Sequence, residues 1–335
     1  MIPRSPARAQ DGCGWQRLWR EAFTEPRALL AWLGLERLAA ALPPKPPHGF
    51  AMRVPRPFAA RMRRGDPRDP LLRQVLPLRA ELDEIEGYGA DAVGDLAARR
   101  ARGLLVKYRG RALLIATGAC AVHCRYCFRR HFPYGEEHAG ADRWRAALAA
   151  LAADPGLREL ILSGGDPLSL ATARLAELAE GLRAIPHLRT LRIHTRLPVV
   201  LPARVDGELL DWLSALPWRR VVVIHANHPA ELDGEVAAAC RALADAGCIL
   251  LNQAVLLRGV NDRIEALEGL SERLFEIGVM PYYLHQLDRV RGAAHFAVGD
   301  RRARALLAEL RARLPGYLVP RLVREEPGAP AKIPL

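Results

Sequence analysis

The stretch 112-ALLIATGACAVHCRYC-127 joins an apolar run to three closely spaced cysteines. The apolar run, 112–120, predicts a buried β-strand. Cys120, Cys124 and Cys127 lie in the loop that follows, at the spacing C-x3-C-x2-C. Three thiolates on one short loop can bind an iron–sulfur cluster and leave one iron without a protein ligand. The stretch therefore predicts a cluster in which one iron is open to a small molecule.

A structural zinc completed by His123 or His131 is a second interpretation of this loop. Structural zinc sites usually draw two pairs of ligands from separate elements, which is not the pattern here. The clustering of three cysteines in eight residues indicates metal binding in a reducing compartment and argues against a disulfide framework. The other three cysteines, Cys13, Cys240 and Cys248, are expected to be core thiols.

Downstream of this stretch, apolar segments alternate with amphipathic ones. The predicted strands are 112–120, 157–165, 190–196, 219–227, 248–257 and 279–286. The predicted helices are 142–154, 170–185, 207–216, 230–247, 263–278 and 300–314. Strict alternation of strand and helix predicts a parallel sheet, and near-continuous apolar strands indicate burial on both faces.

Polar residues follow nearly every predicted strand, as in "SGGDP", "HTR", "HANHP" and "HQLD". Functional groups after so many strands suit a ring-shaped site at the carboxyl ends of the strands. We therefore predict an α/β fold, a partial (β/α)6 barrel resembling a TIM barrel. The expected organisation is a mostly helical and irregular N-terminal extension (1–105), the barrel core (106–316) and a short C-terminal segment (317–335).

The 335 residues, half of them hydrophobic, are enough to bury a large core. The sequence contains no apolar run long enough to span a membrane, and its start lacks the apolar centre of a secretory signal. A cytoplasmic location is the expectation.

The formal net charge is +12, and residues 51–75 carry seven arginines. Such a balance suits nucleic acid or an acidic partner protein. A solvated basic face is the simpler interpretation, since prolines and aspartates interrupt the run.

Lysine is rare in this chain. Among 49 basic residues, the lysines are Lys45, Lys107 and Lys332, and the last lies in "EEPGAPAKIPL" near the end of the sequence. A lysine amine can lose its proton and add to a carbonyl group, whereas a guanidinium stays protonated. Lys332 is therefore a candidate for covalent chemistry, with a solvated terminal charge as the alternative.

The cysteine loop after the first strand of a βα alternation resembles the radical S-adenosylmethionine (SAM) superfamily. From about residue 50 onward the chain resembles the lysine 2,3-aminomutase family within it. The segments that carry this resemblance are "DPRDPLLRQVLP", "CRYCFRR", "LSGGDPL", "NQAVLLRGVND", "PYYLHQLDRVRGAAHF" and "EEPGAPAKIP". The resemblance implies three cofactors: a [4Fe-4S] cluster on the three cysteines, SAM on the open iron, and pyridoxal 5'-phosphate (PLP).

The resemblance also implies roles for individual residues. Lys332 matches the lysine that holds PLP as a Schiff base, and Gly164, Gly165 and Asp166 match the strand end that meets SAM. Arg129 matches the arginine that binds the substrate carboxylate. Two further residues, Asp288 and Glu325, match the acidic positions that bind the far ammonium of lysine, with Glu325 in place of the usual aspartate. Arg196 is expected to bind either the PLP phosphate or the SAM carboxylate, and Lys107 could approach the PLP phosphate.

The activity implied is isomerisation of L-α-lysine to (R)-β-lysine by radical 1,2-amino migration. The sequence ends at Leu335, where longer family members continue into a cysteine-bearing zinc segment, so no structural zinc is expected. This short form resembles the members whose product a separate β-lysine ligase attaches to translation elongation factor P. Alternatives are an aminomutase for another amino acid, a catabolic lysine 2,3-aminomutase, and, in a different class, a basic RNA-binding protein with structural zinc. The sequence leaves the oligomeric state open.

Overall fold

A computed structural model describes residues 14–137 and 144–335. Cys13 and the first two residues of the predicted helix 142–154 lie outside these ranges. Cys240 and Cys248 are buried free thiols, which confirms their prediction as core residues.

Within the described residues, ten strands form one sheet in which the strand order follows the chain order. They are β1 (Arg99–Ala101), β2 (Leu104–Tyr108), β3 (Arg111–Thr117), β4 (Glu159–Gly164), β5 (Thr190–Thr195), β6 (Arg219–Ile224), β7 (Cys248–Val255), β8 (Met280–His285), β9 (Arg321–Arg324) and β10 (Ile333–Pro334). Strands β3 to β9 are parallel. Strands β1, β2 and β10 extend the two ends of the sheet by antiparallel pairing.

The α-helices of the described residues are α1 (Gly14–Arg20), α2 (Pro26–Leu33), α3 (Arg56–Ala59), α4 (Pro70–Arg73), α5 (Tyr134–Glu137), α6 (Arg145–Ala152), α7 (Thr172–Arg183), α8 (Leu197–Val200), α9 (Gly207–Ser214), α10 (Gly234–Asp245), α11 (Ile264–Glu276) and α12 (Asp300–Arg313). At least one helix lies between each pair of consecutive parallel strands, so the six predicted βα units are confirmed. The parallel strand β9, which follows the sixth unit, and the short antiparallel strands were not predicted.

Local sequence explains where two of the barrel helices begin. Asp206 and Asp233 precede α9 and α10, and their side chains accept hydrogen bonds from the amides of Leu209 and Val236. These bonds satisfy amide groups that the first turn of a helix leaves free. The apolar faces of the helices then bury leucines and valines against the near-continuous apolar strands, which gives one large core.

The sheet curls until its two ends meet through side chains. Lys107 lies on β2, near one end of the strand order, and Glu325 follows β9, near the other. The Lys107 Nζ atom lies 2.9 Å from Oε1 of Glu325. This ion pair lies between the two ends of the sheet, which no backbone hydrogen bond among the described strands joins. The barrel is therefore open, and the predicted partial barrel is confirmed.

The arginine-rich stretch 51–75 is not simply solvated. Arg53 donates to the Trp19 carbonyl oxygen at 3.0 Å, and Arg56 donates to the Glu21 carbonyl oxygen at 2.9 Å. Arg61 is more deeply placed and donates to the carbonyl oxygens of Val199 and Glu231. These arginines join the N-terminal region to itself and to the barrel, so they are less available to an external partner.

None of the helices in the described parts of the chain combines the length and the apolar character needed to cross a bilayer. The domain limits and the cytoplasmic location stay predictions.

Candidate active site

A cavity of about 320 Å³ lies at the carboxyl ends of the parallel strands. Its lining includes every residue that the sequence nominated for the site: Cys120, Cys124, Cys127, Arg129, Gly164, Gly165, Asp166, Arg196, Asp288, Glu325 and Lys332. Residues more than 200 positions apart in the chain thus line one cavity. The C-terminal segment returns to the mouth of the barrel, since β10 pairs with β9 and Lys332 reaches the cavity.

The cysteine loop follows β3 and is held by the N-terminal region through the backbone. The amide of Arg125 donates to the Gln74 carbonyl oxygen at 2.8 Å, and the amide of His123 donates to the Arg53 carbonyl oxygen at 3.0 Å. The loop conformation therefore depends on residues that precede the barrel.

The two histidines of the zinc interpretation contact backbone carbonyls. His123 Nδ1 lies 2.9 Å from the Ala51 carbonyl oxygen, and His131 Nε2 lies 3.1 Å from that of Arg291. In residues 14–137 and 144–335, no three His, Cys, Asp or Glu side chains converge closely enough to hold a single metal ion. Each of the two histidines thus has one ring nitrogen engaged by a backbone carbonyl oxygen.

Two thiols of this loop, those of Cys120 and Cys127, have raised pKa values and resist ionisation. Burial raises the pKa of Cys120 well above its usual value, and Asp166 and the neighbouring thiols raise it further. Burial, followed by the charge of Cys124, raises the pKa of Cys127 to about 11. Thiolates crowded in this way are stabilised by a bound cationic centre, so the donor set fits an iron–sulfur cluster.

Arg196, at the end of β5, lies on the cysteine side of the cavity. Its Nη1 donates to Sγ of Cys124 at 2.7 Å, and its Nη2 donates to Gln74 at 2.7 Å and to buried Glu231 at 2.8 Å. Burial lowers the pKa of Arg196, but Cys124, Tyr126 and Glu231 outweigh burial and raise it well above its usual value. Of the two predicted roles, this position supports the SAM carboxylate over the PLP phosphate.

The two glycines at the end of β4 allow a close approach of backbone to backbone. Gly164 has φ +114°, and a Cβ placed there would lie 2.5 Å from the Thr117 carbonyl oxygen. A Cβ on Gly165 would lie 2.7 Å from the Gly118 carbonyl carbon. Any side chain at either position would push the start of the cysteine loop away, so both glycines set the position of that loop.

Asp166 ties two strand ends together. Its Oδ1 accepts from the Leu168 amide and the Thr195 hydroxyl, and its Oδ2 accepts from the amides of Arg196 and Leu197. All four acceptor positions of the carboxylate are occupied, which leaves none for the amino group of SAM. A direct contact between the Asp166 side chain and SAM is therefore not supported, and the bonding indicates a positioning role.

A chain of alternating charges runs along the cavity from Lys332 to Arg129. Lys332 donates to Oε2 of Glu325, whose Oε1 contacts Lys107. Lys107 also lies 2.6 Å from Oδ1 of Asp95, and Oδ2 of Asp95 accepts from Arg129 Nε at 2.6 Å. The charge of the C-terminal lysine is thus linked through paired side chains to the arginine beside the cysteine loop.

The chain of alternating charges corrects the expectation that Lys107 approaches the PLP phosphate. It also includes Asp95, a residue of the site that sequence reasoning missed. Lys107 donates hydrogen bonds to the Val93 carbonyl oxygen and to Glu325 and forms an ion pair with Asp95, so two carboxylates already balance its charge and a phosphate is not favoured there. Asp95 is buried and pairs with both Lys107 and Arg129. It lies in an irregular region before the barrel, where no sequence motif indicates a site.

The two predicted ammonium-binding acids differ in pKa. Burial would raise the pKa of Glu325, but Lys332 and Lys107 lower it to about 2. Burial and the neighbouring Glu325 raise the pKa of Asp288 to about 7. Among the described residues, no hydrogen bond or ion pair satisfies the Asp288 carboxyl group. This carboxyl group is therefore available to a ligand.

Three histidines at strand ends add neutral polar groups to the lining: His194, His225 and His285. Burial lowers the pKa of His225 and of His285 to about 3. The Nε2 atoms of His194 and His285 are buried and have no hydrogen-bond partner among the described residues. Unsatisfied buried polar atoms that line a cavity fit a site that binds a polar cofactor. Their positions after apolar strands were the available sequence indication.

Arg111 is another residue of the lining that sequence reasoning missed. It lies at the start of β3 with its guanidinium 4.7 Å from the Tyr108 ring centroid. The other cations of the lining each have a carboxylate partner, whereas none pairs with Arg111 among the described residues. An unpaired arginine in a cavity is suited to a phosphate.

The fold and the site define a radical SAM protein, and the family model of the radical SAM superfamily matches residues 114–270. The chain belongs to the L-lysine 2,3-aminomutase family, which confirms the resemblance seen in its sequence. It is 47% identical to the L-lysine 2,3-aminomutase of Escherichia coli, over 96% of this chain and 94% of that protein. The L-lysine 2,3-aminomutase of Haemophilus influenzae is 42% identical, over 99% of this chain and 98% of that protein.

A solved radical SAM methyltransferase from Sphaerobacter thermophilus is 19% identical, with a TM-score of 0.48 over 66% of this chain and 68% of that one. A likeness this distant bears on neither substrate nor activity.

Proposed function

We propose that this chain is an L-lysine 2,3-aminomutase that uses a [4Fe-4S] cluster, SAM and PLP. The observation that carries the proposal is the single cavity lined by the three cysteines, the candidate carboxylate-binding Arg129 and the C-terminal Lys332. The family assignment supports the same reaction. When bound, the reduced cluster with SAM supplies an organic radical, and PLP supplies the conjugated system through which an amino group moves between neighbouring carbons.

The cluster ligands proposed are Cys120, Cys124 and Cys127. Arg196 lies beside Cys124 and is suited to bind the SAM carboxylate. Gly164 and Gly165 hold the strand end close to the cysteine loop, and their backbone is the part of "SGGDP" proposed to face the SAM amino group.

The PLP site proposed combines Lys332 with Arg111. Lys332 supplies the amine for a covalent link to the cofactor, because an amine can add to a carbonyl. Arg111 supplies the unpaired positive charge for the phosphate. Glu325 accepts a hydrogen bond from the Lys332 amine and so orients it within the cavity.

The substrate residues proposed are Arg129, Asp288 and Glu325. Arg129 uses Nε for Asp95 and Nη1 for Ser163, while Nη2 makes no hydrogen bond with the described residues. This nitrogen is available to a substrate carboxylate. Asp288 offers a free acid to the distant ammonium, and Glu325 offers the oxygen that Lys332 occupies in this structure. Two acids at that end support a cationic side chain on the substrate.

The decisive experiment is anaerobic purification and reconstitution, with visible absorbance, iron analysis and borohydride trapping of PLP. We expect the wild type to retain iron and PLP and to convert L-lysine to β-lysine. Lys332→Ala should keep iron but lose the trapped PLP adduct, and Lys45→Ala, at an exposed lysine, should keep both. A trapped adduct in Lys332→Ala would refute the role of this lysine.

Product analysis with L-lysine, L-arginine and L-glutamate separates the lysine enzyme from an aminomutase for another amino acid. Chiral chromatography of the product tests the expected (R) configuration. A colourless protein that contains zinc and no PLP would refute the enzyme and support the RNA-binding alternative.

We further propose that the product serves the modification of translation elongation factor P through a separate ligase. The resemblance to the short family members and the nearly full-length match to two relatives support this proposal. Mass spectrometry of elongation factor P, co-expressed with the ligase and this chain, tests it. An adduct with the wild type and a loss of the adduct with Lys332→Ala are expected, and an identical mass in both samples would refute the link.

A further inference from the structure

The N-terminal region buries a carboxylate that pairs with two arginines of the cysteine loop. Glu81, in a short 3-10 helix (Arg79–Leu82), has a side chain that is 0% exposed. Arg125 donates to it through Nε at 3.0 Å and through Nη2 at 2.6 Å. Arg130 donates to the same carboxylate through Nη2 at 2.6 Å. One acid thus joins two arginines that flank Cys127 in the sequence.

Other bonds fix both guanidinium groups. Arg125 Nη1 donates to the Phe50 carbonyl oxygen at 2.9 Å. Arg130 Nη1 donates to the carbonyl oxygens of Arg125, at 2.9 Å, and of Gly292, at 3.2 Å. Both guanidinium groups also lie over the Phe50 ring, 4.8 and 5.0 Å from its centroid. The two halves of the cysteine loop are therefore fastened to each other and to the protein through Glu81.

The net charge of Glu81, Arg125 and Arg130 also suits a nearby iron–sulfur cluster. Two guanidinium groups and one carboxylate leave a net charge of +1 in a space that solvent does not reach. A [4Fe-4S] cluster with three thiolate ligands is anionic, and the charges near a cluster help to set its reduction potential. Loss of Glu81 would leave two buried guanidinium charges with no carboxylate partner, which is costly in a protein interior.

We propose that Glu81 is a positioning residue for the cluster: its carboxylate fixes Arg125 and Arg130 so that the cysteine loop keeps the geometry its three thiolates need. This inference rests on the proposed function, because it takes Cys120, Cys124 and Cys127 as the cluster ligands. It assigns the N-terminal region a part in the radical SAM site that its irregular sequence does not reveal.

The test compares Glu81→Gln with Glu84→Gln, a matched change at an exposed acid of the same segment. Both full-length variants are reconstituted anaerobically, and cluster loss during exposure to an iron chelator is followed by visible absorbance. Changes in residues that support metal ligands typically weaken metal binding about 10- to 100-fold. We expect cluster loss to be faster by that factor in Glu81→Gln and unchanged in Glu84→Gln.

The reduction potential provides a readout that general destabilisation would not shift in a fixed direction. Removing the negative charge of Glu81 leaves the cluster nearer to uncompensated positive charge, so its potential should become more positive. Glu81→Asp keeps the charge but shortens the side chain, and it should recover the wild-type potential with intermediate cluster retention. This variant also serves as the test if Glu81→Gln does not fold.

The outcomes separate this inference from the proposed function. If the wild type binds no iron, the proposed function fails first. If the wild type holds a cluster and Glu81→Gln matches Glu84→Gln in both retention and potential, the role of Glu81 is wrong while the cluster assignment stands. Where Glu81→Gln is unfolded, cluster retention in Glu81→Asp equal to that in Glu84→Gln would likewise overturn it.

Discussion

The amine of Lys332 donates a hydrogen bond to Oε2 of Glu325, and Oε1 of the same carboxylate contacts Lys107. Glu325 therefore bridges the C-terminal hairpin and the second strand of the sheet. The bridge crosses the gap between the two ends of the sheet order. Lys332, the residue proposed to hold PLP, is therefore linked through Glu325 to the strand that closes the barrel. A change in the charge of Glu325 should alter the interactions of Lys332.

The first prediction concerns acid stability. Burial opposes ionisation of Glu325, but the two lysines hold its pKa at about 2, below the ordinary value of 4.5. The stabilisation is therefore present above pH 4.5 and is lost as the pH falls toward 2. The shift corresponds to about 3 kcal/mol. Urea unfolding of the cofactor-free chain between pH 6 and pH 3 should show a smaller loss of stability in Glu325→Gln than in the wild type.

Glu326→Gln is the control for this prediction, because Glu326 is the adjacent acid and is exposed. It should follow the wild type at every pH. Equal pH dependence in the wild type and Glu325→Gln would show that the Lys107 and Lys332 pairs contribute nothing to stability.

The second prediction concerns Asp288, whose contribution to stability changes with pH in the opposite direction to that of Glu325. Burial and Glu325 raise its pKa from 3.8 to about 7, so its contribution to stability is present below pH 4 and is lost as the pH rises through 7. The cost at pH 8 is about 4 kcal/mol at most. Asp288→Asn should unfold at higher urea than the wild type at pH 8 and gain less stability from added L-lysine.

Asp83→Asn, at an exposed aspartate, should leave both the pH profile and the lysine response unchanged. If Asp288→Asn is stabilised by L-lysine as strongly as the wild type, Asp288 does not bind the substrate ammonium.

Sequence predicted the parts of this fold that depend on local pattern. The helices and parallel strands of the six βα units follow from apolar periodicity over 8 to 13 residues, as in α11 and β7. The short strands β1 and β10 escaped prediction because two or three polar or exposed residues carry no period. Their pairing is decided by neighbouring strands that are distant in the sequence.

The site divides in the same way. Cys120, Cys124, Cys127 and Lys332 were predictable because their spacing or rarity is visible in the sequence. The partners Asp95 and Glu81 were not, because each acts through arginines 34 or more residues away. Asp166 was found as part of a motif, but its bonds to Thr195 and Arg196 could be seen only when the two strand ends lay side by side.

The third prediction concerns the PLP phosphate. Arg111 lines the cavity without a carboxylate partner among the described residues, so Arg111→Gln removes the free charge proposed for the phosphate. A hydrogen bond to a charged group contributes about 1.5–3 kcal/mol, which corresponds to roughly a 10- to 100-fold loss of PLP affinity. The PLP affinity is measured by titrating the reconstituted apoprotein with PLP and recording the absorbance. Exposed Arg109→Gln is the control, and equal affinity in both variants would remove Arg111 from the site.

The fourth prediction concerns the contact between the turn after β4 and the cysteine loop. A Cβ on Gly165 would lie 2.7 Å from the Gly118 carbonyl carbon, so Gly165→Ala must displace the backbone that leads to Cys120. Overpacking of this kind costs about 1–3 kcal/mol, and the iron content of the reconstituted chain should fall with it.

Gly234→Ala is the matched control, because a Cβ there meets nothing within 4 Å at the first residue of α10. Urea unfolding should show a loss of stability in Gly165→Ala and a gain of about 0.4–1 kcal/mol in Gly234→Ala. Wild-type stability and iron content in Gly165→Ala would mean that this strand end does not position the cysteine loop.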